Sequence, residues 1–536
     1  MNGELAESAK HDWLGGNVMN IIARKLVKAM VPLAAGALLL TLPGCVVGPK
    51  YHPPAPPSAP AAVYKESPTQ FKDSGNWTVA QPADAKLRGK WWEIFNDPEL
   101  NALEDQLDIN NQNIKQYFEN FMAARAVVRE ARSQYFPTLS VAPSVTHSRA
   151  SANVGAAATN TGDTGATSTS SPQLQSTLYS LPLEASWEPD LWGKVRNTVR
   201  QAHYAAQVSA ADLENERLTE QASLAEYFFE IRGQDQLQKI YDDTVAADQK
   251  EYELTRSLYE AGIDDQISVV ESETTLRSAQ AGATNVGVAR AQYEHAIAVL
   301  LGQTASNFSI PVKPMTVAPP PIPVGVPSEL LERRPDVAAA ERTMAEANAA
   351  IGIAYAAYYP NLTLTGAAGF ESSSLSKWLS WPSRFWSIGA SLPETIFDAG
   401  LRRATVQQNV AIYNADLATY RQTVLTAFQQ VEDSLAEVRI LSKEIQQEQQ
   451  AVDSARTYLK LEEARYDTGV DPYVDVLIAQ TTVLADQQTL NGLQVQQMAS
   501  SVALVEALGG GWDRSQLPTA QQVTQKPAKS ETTIEQ

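Results

Sequence analysis

The chain has 536 residues, 44% of them hydrophobic, with 61 acidic against 42 basic side chains and a net charge of −19. That balance argues against a nucleic-acid partner, whose phosphates need a basic surface. The single cysteine excludes an intramolecular disulfide and any CxxC redox or zinc site, and the five histidines (His11, His52, His147, His203 and His295) have no metal-ligand spacing.

In chain order, Arg24, Lys25 and Lys28 precede an apolar run from Met30 to Leu42 that meets Leu42-Pro43-Gly44-Cys45. A basic region, a short apolar core and small residues before a cut site describe a secretory signal over residues 1–44. The run, about 13 residues, is shorter than the ~20 needed to cross a bilayer as a helix. Met19 reads as the natural start. Leucine three positions before Cys45, with glycine just before it, resembles the bacterial lipobox, which implies diacylglycerol and an N-acyl chain on Cys45. Val46 follows where an aspartate would signal inner-membrane retention, so the implied address is the outer membrane. No other cofactor is expected. Residues 45–84 then form a Pro-rich leash, with Pro53-Pro54-Ala55-Pro56-Pro57 favouring extended chain. The polar tail, 513–536, reads as disordered beyond Gln521.

The body is a duplication. Tyr259-Glu260-Ala261-Gly262-Ile263-Asp264 matches Tyr466-Asp467-Thr468-Gly469-Val470-Asp471 at a spacing of 207 residues, and that spacing also pairs Arg232 with Arg439 and Gly193 with Gly400. Tyr135-Phe136-Pro137 resembles Tyr358-Tyr359-Pro360 at 223, so the intervening loop is longer in the first half. The first repeat covers 85–303, a Pro-rich linker 304–334, and the second repeat 335–512.

Each repeat reads helix, two strands, very long helix, shorter helix. From Val406 to Val438, ten apolar positions recur about every 3.6 residues, an α-helical stripe. Gly400 to Asp467 contains no proline; at 1.5 Å per residue such a helix is roughly 100 Å long, a length suited to coiled coils or helical tubes. Lys194 to Ala261 matches it. The strands alternate apolar and polar: Leu139, Val141 and Val145; Leu181, Leu183, Ala185 and Trp187; Leu362 and Leu364; Trp386, Ile388, Ala390 and Leu392. Trp378, Trp381 and Trp386 beside such strands suit a membrane interface. Four strands cannot close a barrel, and a lipid-exposed edge leaves backbone groups without partners. Closure therefore needs other subunits. Two copies would make a barrel filled by side chains, and three copies a twelve-stranded conduit.

Trp91-Trp92-Glu93-Ile94-Phe95-Asn96-Asp97-Pro98-Glu99-Leu100, Trp187-Glu188-Pro189-Asp190-Leu191-Trp192-Gly193 and Leu331-Glu332-Arg333-Arg334-Pro335-Asp336-Val337, together with the lipobox, resemble the outer membrane factor family, and within it the NodT-type lipoproteins of RND efflux systems. The resemblance implies a membrane α+β, TolC-like homotrimer: a shared twelve-stranded β-barrel, with long antiparallel coiled-coil helices forming a periplasmic α-barrel. It implies a passive conduit whose partners are a periplasmic adaptor, an inner-membrane RND-type pump and the outer-membrane lipid. The alternative is a structural or adhesive coiled-coil lipoprotein that does not conduct; amphipathic strands argue against it.

The candidate gate lies where the helices reverse. Gly262 and Gly469 end the long helices, as a residue tolerant of positive φ must. Asp264, Asp265 and Asp471 stand where helix N-termini favour acids, so capping alone accounts for them. Asp475 lies one turn past Asp471 on nearly the same face. The resemblance places Asp475 in a constricting aspartate ring and Tyr466 among gate-locking hydrogen bonds. It also marks two departures: Asp471 stands in place of the family's arginine, and Ser268 in place of an aspartate. Asp163-Thr164-Gly165 and Asp467-Thr468-Gly469 mimic aspartic-protease tripeptides but sit in a polar loop and at a helix end, not on paired strand-supported loops. Gly509-Gly510-Gly511 reads as a helix terminator.

Overall fold

The computed structural model describes residues 46–56, 64–66, 89–149, 151, 175–315, 318–322 and 330–525. The expected signal (1–44), Cys45, much of the leash, Asp163-Thr164-Gly165 and the tail from 526 lie outside them. Two compact units are present, one holding 135–196 and 355–398 with the chain up to Gly48, the other holding the remainder.

The first unit is an antiparallel sheet. β1 (Thr138–Val141) and β2 (Ser144–Arg149) lie along one edge of β3 (Gln175–Trp187), β4 (Thr363–Ser372) lies along the other, and β5 (Arg384–Ser391) pairs with β4. The single strand expected around Leu139–Val145 is therefore two segments. Thr138 opposite Ser186 and Arg149 opposite Gln175 belong to one register. The gap falls at Pro143, which has no N–H to give the ladder.

This register merges the alternation of the separate strands. Leu139, Ala185, Gly366 and Ile388 are successive cross-strand neighbours, as are Val141, Leu183, Ala368 and Trp386, so they share a face. The opposite face carries Ser140, Glu184, Ala367 and Ser387. Nothing in the described chain covers the apolar side: Leu139 is 69%, Trp386 75% and Ile388 83% exposed. Among the described residues the outer edges of β1, β2 and β5 meet no strand, which leaves their backbone groups for another chain.

The second unit is helical. α1 (Pro98–Asn110) and α2 (Gln112–Ser133) lead the first repeat, followed by the 67-residue α3 (Lys194–Glu260) and by α4 (Gln266–Leu300). The second repeat has one leading helix, α5 (Pro335–Ala356), then α6 (Leu401–Asp467), also 67 residues, and α7 (Tyr473–Ala507). Both long helices end within a residue of the expected positions. No helix among the described residues is long and apolar enough to cross a membrane.

The core explains the sequence signatures. Trp91, Trp92 and Phe95 form a 3-10 turn buried with Leu100 and Leu107 of α1, Phe228 and Phe229 of α3, Val431 of α6 and Met498 of α7. The Asp97 carboxylate accepts from the Glu99 and Leu100 amides at 2.9 and 3.3 Å, capping α1. Arg334 donates to both oxygens of Asp336 (3.0 and 2.6 Å), to Gln430 of α6 (2.7 Å) and to the Ala507 carbonyl ending α7 (3.1 Å).

Extended segments are clamped to the long helices. Lys65 and Glu66 donate their amides to the two oxygens of Glu432 at 2.8 and 3.0 Å, while Glu66 pairs with Arg439 at 2.7 Å. Its counterpart Arg232 donates to the Pro311 carbonyl at 2.8 Å, and Lys313 donates its amide to Asp235 at 2.8 Å. The tail departs from expectation over its first part: α8 (Ala520–Thr524) buries Val523 against Val128, Ala131 and Ala206. One apolar side chain at the right register is enough to hold it there.

Candidate functional site

The α3–α4 and α6–α7 reversals use the same backbone. Gly262 has φ 74° and Gly469 φ 71°. The Gly262 and Ile263 amides donate to the Tyr259 and Leu258 carbonyls, both at 2.9 Å. Those of Gly469 and Val470 donate to Tyr466 and Arg465 at 2.8 and 2.9 Å. These are Schellman closures, which satisfy the last carbonyls of each helix. A Cβ at either glycine meets nothing within 4 Å, so the left-handed conformation, not crowding, calls for glycine.

Side chains at the two turns diverge. Asp265 caps α4, accepting from the Ile267 and Ser268 amides at 2.9 and 3.1 Å. Asp264 does not cap. Its Oδ1 accepts from the Asp265 amide (2.8 Å) and the Ser268 hydroxyl (3.1 Å), and its Oδ2 accepts from the Tyr466 hydroxyl at 2.8 Å. That last bond joins the two hairpins. The Tyr466 ring meets the buried ring of Tyr473 edge-on, centroids 5.5 Å apart.

At the second turn α7 is preceded by Pro472, with no side-chain cap. Asp471 turns back instead to Arg465, taking Nε and Nη2 (the latter at 2.8 Å) on its two oxygens. This guanidinium holds the Asp471 carboxyl below the usual carboxylate range. Glu462, Asp471 and half-buried Asp475 bring one oxygen each within 4.8 Å of the others. Lost hydration, then a hydrogen bond with Asp471, pushes Glu462 upward. Asp475 thus stands in an acidic group neutralised in part by one arginine.

Behind the tyrosines lies a second acidic group. Asp248 on α3 is 3% exposed, and neither of its carboxylate oxygens has a hydrogen-bond partner. Burial pushes it up to about 6. Glu251 is pushed up to about 7, by burial first and then by Glu463, Asp467 and Asp248. The field of both acids reaches Tyr473, along with that of Glu271.

The structure therefore brings Tyr466 to Asp264, and Asp471 to Asp475, while Asp265 serves the helix end. Sequence reasoning missed Arg465, Glu462, Asp248 and Glu251. Two signals were available. Arg465 lies six residues before Asp471 across a turn that folds the chain back on itself. Thr244, Asp248, Glu251, Thr255 and Leu258 continue a three-and-four spacing, so the inward stripe of α3 becomes acidic near its end.

A helical body with paired long hairpins, a sheet with one apolar face and two open edges, and glycine-closed helix tips define a subunit of an outer-membrane channel. Residues 103–303 and 326–510 match the family model described as outer membrane efflux protein, and the chain belongs to that family. It is 30% identical to the "Probable efflux pump outer membrane protein TtgC" of Pseudomonas putida, over 91% of this chain and 96% of that one. It is likewise 30% identical to "Outer membrane protein OprJ" of Pseudomonas aeruginosa, over 90% of this chain and 96% of that one. Among solved structures, the outer-membrane channel OprN superposes with a TM-score of 0.77 at 26% identity, covering 87% of this chain and all of its own. The open-state MtrE channel of Neisseria gonorrhoeae gives 0.73 at 24% identity, over 88% of this chain and 99% of that one, a likeness of fold.

Proposed function

We propose that this chain is one third of a homotrimeric conduit through which solutes cross the outer membrane passively, delivered by an inner-membrane RND-type pump and a periplasmic adaptor, with lipid on Cys45 as an added anchor. The observation that carries this reading is the sheet. Its register makes one apolar and one polar wall, and its two outer edges are unpaired. In lipid such edges must be closed by further strands. Three copies close them around a lumen wide enough for solute, lined by the face that bears Glu184 and Ser140. Energy enters elsewhere. The chain supplies a wet path and a gate.

The gate is the pair of helix tips. The Tyr466–Asp264 bond holds one hairpin to the other, and in a trimer it recurs three times. Asp475 is the constriction residue: threefold symmetry collects three such carboxylates, raising a negative potential that favours cations. Single-channel recording of the purified protein in planar bilayers tests the conduit. Cation-preferring channels are expected; no conductance in any condition, even after the Tyr466–Asp264 bond is removed, would leave a non-conducting scaffold. Asp475→Ala is expected to lower cation preference, and unchanged selectivity and conductance would remove that residue from the constriction.

A further inference from the structure

The β3–α3 turn, residues 188–193, is built more tightly than its counterpart in the second repeat. Asp190 accepts from the Val195 and Arg196 amides (3.1 and 2.9 Å) and from the Arg196 Nε at 2.9 Å. The Trp192 indole donates to the Pro360 carbonyl at 2.9 Å and stacks on Tyr359 with centroids 4.8 Å apart. On this braced turn rests the start of the described chain. The Val47 amide donates to the Trp192 carbonyl at 3.2 Å. A Cβ on Gly193 would stand 3.0 Å from both Cα and Cγ1 of Val46.

The repeat supplies an internal control. Gly193 (φ 82°) and Gly400 (φ 90°) occupy equivalent strand-to-helix turns and share the left-handed conformation. A Cβ on Gly400 meets nothing within 4 Å. Conformation therefore accounts for glycine at both positions, whereas close approach by another segment occurs at Gly193 alone of the two.

We infer that the Trp192–Gly193 turn is a seat for the first residues of the mature chain, holding the lipid-bearing Cys45 at a set point on the sheet unit. The inference rests on the lipid-anchor reading of Cys45. Consecutive Cα atoms are about 3.8 Å apart, so the acylated residue is one peptide from seated Val46. The acyl chains then leave from a fixed pivot, and the Pro-rich stretch begins after that contact instead of separating lipid from protein. A fixed pivot keeps acyl chains and sheet at a high effective concentration for the same leaflet, which a long flexible leash would dilute.

The test is a cycle on the full-length trimer extracted from membranes. Gly193→Ala and Gly400→Ala impose the same backbone strain, but only the first also meets Val46. Gly193→Ala is expected to lower the temperature of trimer dissociation by about 5 °C more than Gly400→Ala does, a shift in the range of a one- to two-kcal/mol contact. Adding Val46→Gly, which clears the methyl, is expected to remove that excess. Hydrogen exchange over residues 46–56 is expected to rise with Gly193→Ala and not with Gly400→Ala. Equal losses from the two alanines, or no relief from Val46→Gly, would overturn the seat. Should Gly193→Ala fail to assemble, Val46→Gly alone leaves the turn intact, and unchanged exchange in it would overturn the seat equally. The intact mass separates the two readings: an unacylated Cys45 removes the anchor and with it the pinning role, even if the exchange data show the Val46 contact.

Discussion

The two helix tips share a backbone and divide the chemistry between them. Gly262 and Gly469 close their helices with the same pair of hydrogen bonds and the same positive φ. The first tip spends its acids outward along the hairpin and across it: Asp265 caps its own helix and Asp264 takes the hydroxyl of Tyr466. The second keeps its charges at home, with Arg465 folded onto Asp471. Duplication preserved the turn, which geometry dictates, and freed the side chains, which it does not. The consequence is a gate whose cross-link between hairpins is one tyrosine–carboxylate bond, while the ion pair stiffens one tip only.

The largest effect should come from breaking that cross-link. A hydrogen bond to a charged group is worth about 1.5–3 kcal/mol, and this one is partly exposed, so the low end applies: roughly a tenfold shift per subunit toward the open form. Asp264→Ala is expected to raise single-channel conductance or open probability by at least that factor, and Tyr466→Phe by somewhat less, because Asp264 keeps its bonds to the Asp265 amide and Ser268. Next is pH. Asp248 and Glu251 keep their protons to about 6 and 7 in the closed tip, so the closed form binds more protons than one in which these acids meet water. Its advantage is complete below about pH 4, the ordinary carboxylate range, and is lost as pH rises through 6 to 7. Conductance at pH 8 should exceed that at pH 5, and Asp248→Asn with Glu251→Gln should flatten the profile. A steeper profile in that double variant would contradict the assignment. Smallest is Arg465→Gln. It frees Asp471 within one tip, so current–voltage reversal potentials should shift toward stronger cation preference, with less change in open probability than Asp264→Ala gives.

Much of this was legible in the sequence, for identifiable reasons. Period and length reveal the long helices, because Val406 to Val438 repeats the helical pitch and no proline interrupts it. Alternation reveals the strands, though not that Pro143 divides one of them. The signatures at Trp91, Trp187 and Arg334 pointed to the family, yet all three prove to be fasteners: a buried aromatic knot, a braced turn and an arginine clamp. The gate was half visible. Asp264, Tyr466, Asp471 and Asp475 stood at aligned positions, but which acid caps and which bridges depends on how two hairpins pack. Arg465 and Asp248 acquire meaning only from neighbours far away in sequence. Spacing along one helix cannot supply those.

The central claim is that apposition of the two tips closes the channel, and it can be tested by restoring the contact with a removable link. The chain's one cysteine is Cys45, so Asp264→Cys with Tyr466→Cys, in a protein whose Cys45 is acylated or replaced by serine, offers a defined thiol pair. A hydroxyl–carboxylate bond of 2.8 Å sets the side-chain ends close but the backbones too far apart for a disulfide, so a short bis-thiosulfonate crosslinker is the appropriate bridge. The expected result in planar bilayers is high conductance before crosslinking, near-complete loss after it, and recovery on reduction. Conductance that is unchanged by a crosslink verified by mass would place the gate elsewhere.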